Sequence, residues 1–160
     1  MDLIRKITSE DYDYIISHLD QWWAAGRKMS DMLPRLFFNH FSDTSFIIQE
    51  QDTIKGFLIG FGSPTKPHLG YVHFIGVNPT YRKNGIGKRL HYTFMETVKQ
   101  RGVTEIACVT SPLNMQSIRF HTRLGFAIKE GPAVSTEGIA YTPNYDGPEE
   151  HRVIFSFKLN

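Results

Sequence analysis

The sequence predicts a mixed α/β fold, an α+β arrangement with one mixed sheet flanked by helices. Three observations lead there. Short runs rich in Ile, Val and Phe alternate along the chain with segments whose apolar residues recur at helical spacing. The stretch from Gly76 to Leu90 reads as a strand end, a turn and a glycine-rich loop that opens a helix. The chain has 160 residues, 41% hydrophobic and 21% charged, enough for one ordinary domain over 1–160 with a real core.

The elements follow in order. Leu3 to Ile7 suits a first strand. Thr8-Ser9-Glu10-Asp11 is a capping-box-like start for a helix carrying Ile15, Ile16, Leu19 and Trp22 or Trp23. A second helix follows Ser30-Asp31, with Pro34 tolerated in its first turn and Leu36, Phe37, Phe38 and Phe41 apolar. Phe46 to Glu50, a turn near Asp52-Thr53, and Ile54 to Phe61 form a hairpin. A loop over Ser63 to Pro67 leads to a strand from Gly70 to Val77. The helix from Gly85 to Arg101 carries Leu90, Phe94 and Val98 at four-residue intervals, and Gly102 ends it. Glu105 to Thr110 reads as a strand buried on both faces. Asn114 caps a helix that stops at Gly125, and Phe126 to Glu130 and Arg152 to Leu159 are the last strands. Between them Gly131 to His151 is a long loop rich in Gly, Pro and Tyr, a length that marks a functional or disordered segment.

Composition removes several function classes. A net charge of +2 is too small for a nucleic-acid partner, so the basic cluster of the chain is local. No apolar run follows Met1-Asp2-Leu3-Ile4-Arg5-Lys6, which speaks against a signal peptide, and Phe57 to Phe61 is too short to span a bilayer, so no membrane partner is expected. The lone Cys108 excludes an internal disulfide and fits a reducing cytoplasm. Nothing near it depresses its pKa, and it reads as core. The seven histidines show no zinc spacing, so no metal is expected.

The start of the Gly85 helix is where chemistry gathers. Backbone N–H groups converge there and the helix dipole adds partial positive charge, which makes an anion site. Arg82, Lys83, Lys88 and Arg89 crowd it, and each cation costs about 0.3–1 kcal/mol against the dipole unless a polyanion sits among them. A dinucleotide fits poorly. Leu90 stands where a third glycine belongs, and Asn78-Pro79-Thr80-Tyr81 separates the glycines from the strand.

Two motifs carry a resemblance. Val77-x-Pro79-x-x-Arg82-x-x-Gly85-x-Gly87 resembles the acetyl-coenzyme A signature of the GNAT superfamily of N-acetyltransferases. Asn114-x-x-Ser117-x-x-Phe120-His121-x-x-x-Gly125-Phe126 resembles that family's later motif, in order and at a plausible distance. The resemblance implies the GNAT acyl-coenzyme A N-acyltransferase fold, with a central sheet splayed where acetyl-CoA lies as co-substrate. It implies that Arg82, Lys83, Asn84, Gly85, Ile86, Gly87 and Lys88 hold the pyrophosphate, largely by backbone N–H groups. Glycine at 85 and 87 is expected because a Cβ would crowd the phosphates or force strained dihedrals. It further implies that main-chain groups of Ile75 to Val77 hold the pantetheine arm and the oxyanion, with Gly76 marking a bulge or a close ligand approach. Asn114 and Ser117 join the cofactor set.

The strand Tyr71 to Val77 is expected to place Tyr71, His73, Ile75 and Val77 on one face. Tyr71-Val72-His73 is similar to the His-x-His segment of arylalkylamine acetyltransferases, with Tyr in place of the first His. His73 is therefore the candidate base, acting directly or through water. An amine of pKa about 10 is only about one-thousandth neutral at pH 7, and a positioned base recovers about 10²–10⁴-fold in rate. His121 stands where many GNAT enzymes carry the tyrosine that protonates the departing thiolate, and the resemblance makes it the candidate acid. The acceptor side takes Trp23, Arg27, Tyr71 and Tyr145. Acids of the late loop (Asp146, Glu149, Glu150) suit a cationic amine, whereas Arg27 and Lys28 suit a carboxylate. The expected function is direct acetyl transfer to a primary amine of a small molecule or peptide, by an enzyme that is often a homodimer. The rivals are a non-catalytic acyl-CoA sensor and a nucleotide-dependent oxidoreductase.

Overall fold

The computed structural model describes residues 1–23 and 28–160. Nine strands and four α-helices are seen among them. The strands are β1 (Leu3–Lys6), β2 (Phe46–Glu50), β3 (Thr53–Gly62), β4 (Leu69–Val77), β5 (Glu105–Thr110), β6 (Ala127–Ile128), β7 (Ala133–Val134), β8 (Ala140–Tyr141) and β9 (Val153–Lys158). The helices are α1 (Tyr12–Leu19), α2 (Leu36–His40), α3 (Ile86–Lys99) and α4 (Met115–Leu124). Seven strands form one sheet in the order β1-β2-β3-β4-β5-β9-β6. All neighbours are antiparallel except β4 and β5, which run parallel.

Period-2 alternation in β2 and β3 puts one core on each face of the sheet. Phe46, Ile48 and Leu58 pack with Leu90, Phe94 and Val98 of α3 and with Ile118 of α4. Ile47, Phe57 and Ile59 pack with Ile15 and Leu19 of α1 and Phe38 of α2. Side chains of this kind contribute about 1.5–3 kcal/mol each when fully buried.

Several sequence expectations need correction. The capping box at Thr8 and Asp11 is present, but α1 ends at Leu19 and Trp22 lies on a following turn of 3-10 helix. The second helix is not continuous from Ser30. A 3-10 turn, Ser30–Met32, is broken at Leu33 (φ −125°, ψ 66°), and α2 begins only at Leu36. Pro34 is the cause, since its ring excludes the helical region for the residue before it. β5 is buried on one face only, through Ile106 and Cys108. The long loop after β6 is not structureless: it holds the β7–β8 hairpin and a bridge between Thr142 and Arg152.

Candidate active site

The sheet splits between β4 and β5. The two strands pair only from Leu69↔Glu105 to Tyr71↔Ala107, and beyond Tyr71 that edge of β4 has no strand beside it among the described residues. Asn78 N–H donates to Lys55 O on the β3 side at 2.9 Å, so the two-residue period turns the main-chain groups of Ile75 and Val77 toward the split. A cavity of about 1230 Å³ fills this gap, lined by β4, β5, the loop before α3, α4 and the late loop.

A bulge re-aims β4 inside that gap. Ile59 pairs with Phe74 while Gly60 pairs with Val72, which leaves His73 without a partner in β3. One extra residue exchanges the faces of a strand. Val72 accordingly packs with the α3 side, while Phe74, two residues on, packs with the α1–α2 side. This corrects the expected alternation. Tyr71 lies against Phe61 and His73 against Phe37 of α2, whereas Ile75 and Val77 pack on the α3 side. All four still line the cavity, because it passes through the split from one face of the sheet to the other.

One end of the cavity is basic. The first α-helical bond of α3 is Arg89 N–H to Gly85 O at 3.0 Å, so the N–H groups of Ile86, Gly87 and Lys88 have no intrahelical acceptor. Lys83, Gly85, Ile86, Gly87 and Lys88 line the cavity, and Ile86 offers only its backbone because its side chain is core. Asn84 does not line it. Arg82 lines it, but its guanidinium Nη2 donates to Trp22 O at 2.6 Å and ties two loops together. Arg89 turns away to Asp2 at 2.9 Å, so its charge belongs to an ion pair and not to an anion site. Arg119 and Arg123 of α4 line the cavity in its place. Sequence reasoning missed both, although their four-residue spacing on a helix beside the glycine loop was a usable signal.

The two glycines serve different ends. Gly85 has φ +75° with open space around a hypothetical Cβ, so its need is conformational. At Gly87 a Cβ would stand 2.9 Å from Phe120 Cζ, so this glycine lets α3 meet α4. At Gly76 a Cβ would stand 2.8 Å from Phe57 Cε1, so this glycine makes room for that ring.

The other end is acidic. Glu137, Asp146, Glu149 and Glu150 line it, together with Arg152, which pairs with Asp146 at 2.8 Å and Glu150 at 3.1 Å. Tyr71 and His73 sit there with Met29 and Met32, whereas Trp23 lies near Gly76 and Arg82. The His73 Nε2 stands 2.6 Å from Met32 O. A carbonyl only accepts, so Nε2 carries the proton and Nδ1 carries the lone pair. The ring stacks on Phe37 with centroids 4.1 Å apart, and burial holds its pKa below the usual histidine value. Burial likewise pushes the Tyr71 hydroxyl up. Tyr145 is 48% exposed and does not line the cavity, and Arg27 lies outside the described residues. Lys28 is exposed and 3.7 Å from Asp31, not in the cavity lining.

On α4, Asn114 is the N-cap, its Oδ1 accepting from Ser117 N–H at 3.1 Å, and both residues line the cavity. His121 lines it too, but is 4% exposed and stacks on Phe155. Its Nδ1 is 2.8 Å from Ser117 O, so the neutral ring spends its proton on that carbonyl and burial disfavours a second one. Cys108 is buried and its thiol pKa is pushed up, as expected of a core residue.

A split sheet edge, a glycine loop with free N–H groups and five cations at the basic end of the cavity together fit the pyrophosphate and pantetheine of coenzyme A, which defines an acyl-CoA N-acyltransferase architecture. The sequence profile of the acetyltransferase (GNAT) family matches residues 4–126. The chain belongs to that family and is an N-acetyltransferase that uses acetyl-CoA as co-substrate. It is 29% identical over 123 residues to the L-2,4-diaminobutyric acid acetyltransferase of Streptomyces coelicolor, covering 75% of this chain and 71% of that one. It spans about half the length, 52%, of the enzyme of that name from Virgibacillus pantothenticus, at 27% identity over 51% of this chain. In fold it is similar to the diaminobutyrate acetyltransferase of Paenibacillus lautus bound to L-2,4-diaminobutyric acid and coenzyme A, with TM-score 0.72, 19% identity and coverage of 100% and 97%. The family assignment decides against the oxidoreductase reading. No helix among the described residues is long and apolar enough to cross a membrane.

Proposed function

We propose that this single domain, residues 1–160, acetylates a primary amine of a small cationic molecule by direct transfer in a ternary complex, with His73 taking the amine's proton. The observation that carries this reading is the bulge at His73. It sets the ring on the acceptor side of the split, with its Nε2 proton held by Met32 O and its Nδ1 lone pair without a partner among the described residues. Burial keeps the ring neutral near pH 7, so the base is in its working form. The acidic lining at the same end suits an ammonium acceptor, which is also the chemistry named for the diaminobutyrate relatives.

Acetyl-CoA supplies the acetyl group. The N–H groups of Ile86, Gly87 and Lys88, with the Lys83, Lys88, Arg119 and Arg123 side chains, would hold its phosphates. The open edge at Ile75 and Val77 would hold the pantetheine amides and supply the oxyanion donor. The acid role of His121 is the weaker half of the assignment, because its neutral ring has no second proton to give. A thiolate with pKa near 8.5 lacks only about 2 kcal/mol at pH 7, so a hydrogen bond from Ser117 Oγ suffices. We place the enzyme in the cytoplasm, as its unpaired Cys108 suggests, and as a homodimer after the family's habit, which sedimentation reads directly.

The test is coenzyme A release across diamines, polyamines, amino acids with a second amine, arylalkylamines and peptide N-termini. Turnover is expected with the small cationic amines. His73→Ala is expected to lower kcat by about 10²–10⁴-fold and to abolish the acid limb of the pH profile. An unchanged rate and profile in that variant would remove the base assignment.

A further inference from the structure

We infer that Asp20 is a positioning residue for this reaction, because it anchors the start of the 3-10 turn whose last carbonyl holds the Nε2 proton of His73. The inference rests on the reading of His73 as base. Asp20 follows α1, and its carboxylate gathers three bonds from residues nine and ten positions away. Met29 N–H and Ser30 N–H donate to Oδ1 at 2.7 and 2.9 Å, and Ser30 Oγ donates to Oδ2 at 2.8 Å. These are charge-assisted bonds to the first N–H groups of the Ser30–Met32 turn, and they hold the Asp20 carboxyl below its usual range.

Such a turn has little stability of its own. It is held from outside at both ends, by Asp20 before it and by the wholly buried Leu33 after it. Its last residue is Met32, and Met32 O lies 2.6 Å from His73 Nε2. The carbonyl does two things for a base. It selects the Nε2–H tautomer, which leaves the lone pair on Nδ1, and it stays a hydrogen-bond acceptor when the ring becomes imidazolium. The other groups facing His73 are the Phe37 ring of α2 and the Asp146 carboxylate of the late loop, which favours protonation. Neither of them fixes the tautomer.

The experiment compares Asp20→Ala, Asp20→Asn and Ser30→Ala in the full chain. Steady-state kinetics are read beside long-range ¹H–¹⁵N correlation of the His73 ring. Asp20→Ala is expected to lower kcat by about tenfold or more, with acetyl-CoA KM within about twofold and the His73 ring moved from one tautomer to a mixture. Asp20→Asn keeps an oxygen acceptor and is expected to recover most of both readouts, with Ser30→Ala between. An unchanged His73 tautomer in Asp20→Ala overturns the inference. So does a loss in which kcat, acetyl-CoA KM and melting temperature fall together and Asn rescues none. A fully active His73→Gln, with the tautomer still shifted in Asp20→Ala, would sink the base reading while leaving the Asp20–His73 link standing.

Discussion

His91 is enclosed between α3 and α4, against Phe120, His121 and Phe126, and neither ring nitrogen has a hydrogen-bond partner among the described residues. Burial, with the neighbouring His121 second, pushes its pKa down to about 3. The unfolded chain therefore binds a proton at His91 between about pH 6.5 and 3 that the folded chain refuses. Stability is full above pH 6.5 and falls as pH drops, by up to about 1.4 kcal/mol per unit for this one group. The lowered pKa values of His73 and His121 act with the same sign. His91→Leu removes two unpaired polar atoms at similar volume. It is expected to raise stability by about 1–3 kcal/mol less the repacking cost, and to flatten the acid limb. Thermal melts from pH 4 to 8 check both, and a variant less stable at every pH would mean that His91 has a partner not seen here.

The loop from Asn78 to Gly85 and the helix α3 divide the work of their two glycines, and substitution separates them. Gly85→Ala forces a left-handed residue with a Cβ, at about 1–2 kcal/mol, in open space. Its expected effect is a weaker acetyl-CoA Kd through misdirected N–H groups, with little change in core packing. Gly87→Ala instead drives a methyl against Phe120 and is expected to cost about 1–3 kcal/mol of stability by pushing α4 from α3. Isothermal titration with coenzyme A and urea melts, run on both variants, tell the two roles apart. Equal losses of affinity and stability in both would contradict the division.

Along the cavity the six steps from Tyr71 to Val77 span about 20 Å, with acids at the first end and cations at the second. In the proposed reaction the donor polyanion and a cationic acceptor would be drawn to opposite ends of the cavity and would meet where β4 and β5 part. This electrostatic sorting is screened by salt. Raising ionic strength from about 0.05 to 0.5 M shortens the Debye length several-fold. Both the acetyl-CoA Kd and the acceptor KM are expected to rise several-fold, with kcat little changed. A salt-insensitive acceptor KM would show that the Glu149 side of the cavity makes no use of its charge.

Most of the strand and helix order, the strand–glycine loop–helix segment before α3, the helix caps at Asn114 and Gly125, and the family were legible in the sequence. Each depends on residues within a few positions of one another, and local spacing is what a sequence displays. His73 was legible as a candidate for the same reason, by its place two residues after Tyr71. The tertiary structure alone decided what joins distant segments. The bulge that leaves His73 unpaired exists only against β3, and it turns Ile75 and Val77 to the opposite face from Tyr71. The Met32 carbonyl on His73, the Trp22 carbonyl on Arg82 and the Asp2 pairing of Arg89 join residues 41, 60 and 87 positions apart. The burial of His121 among aromatic rings depends equally on β9 folding back onto α4. No local pattern encodes such contacts, because they form only when the two cores close the sheet from both sides.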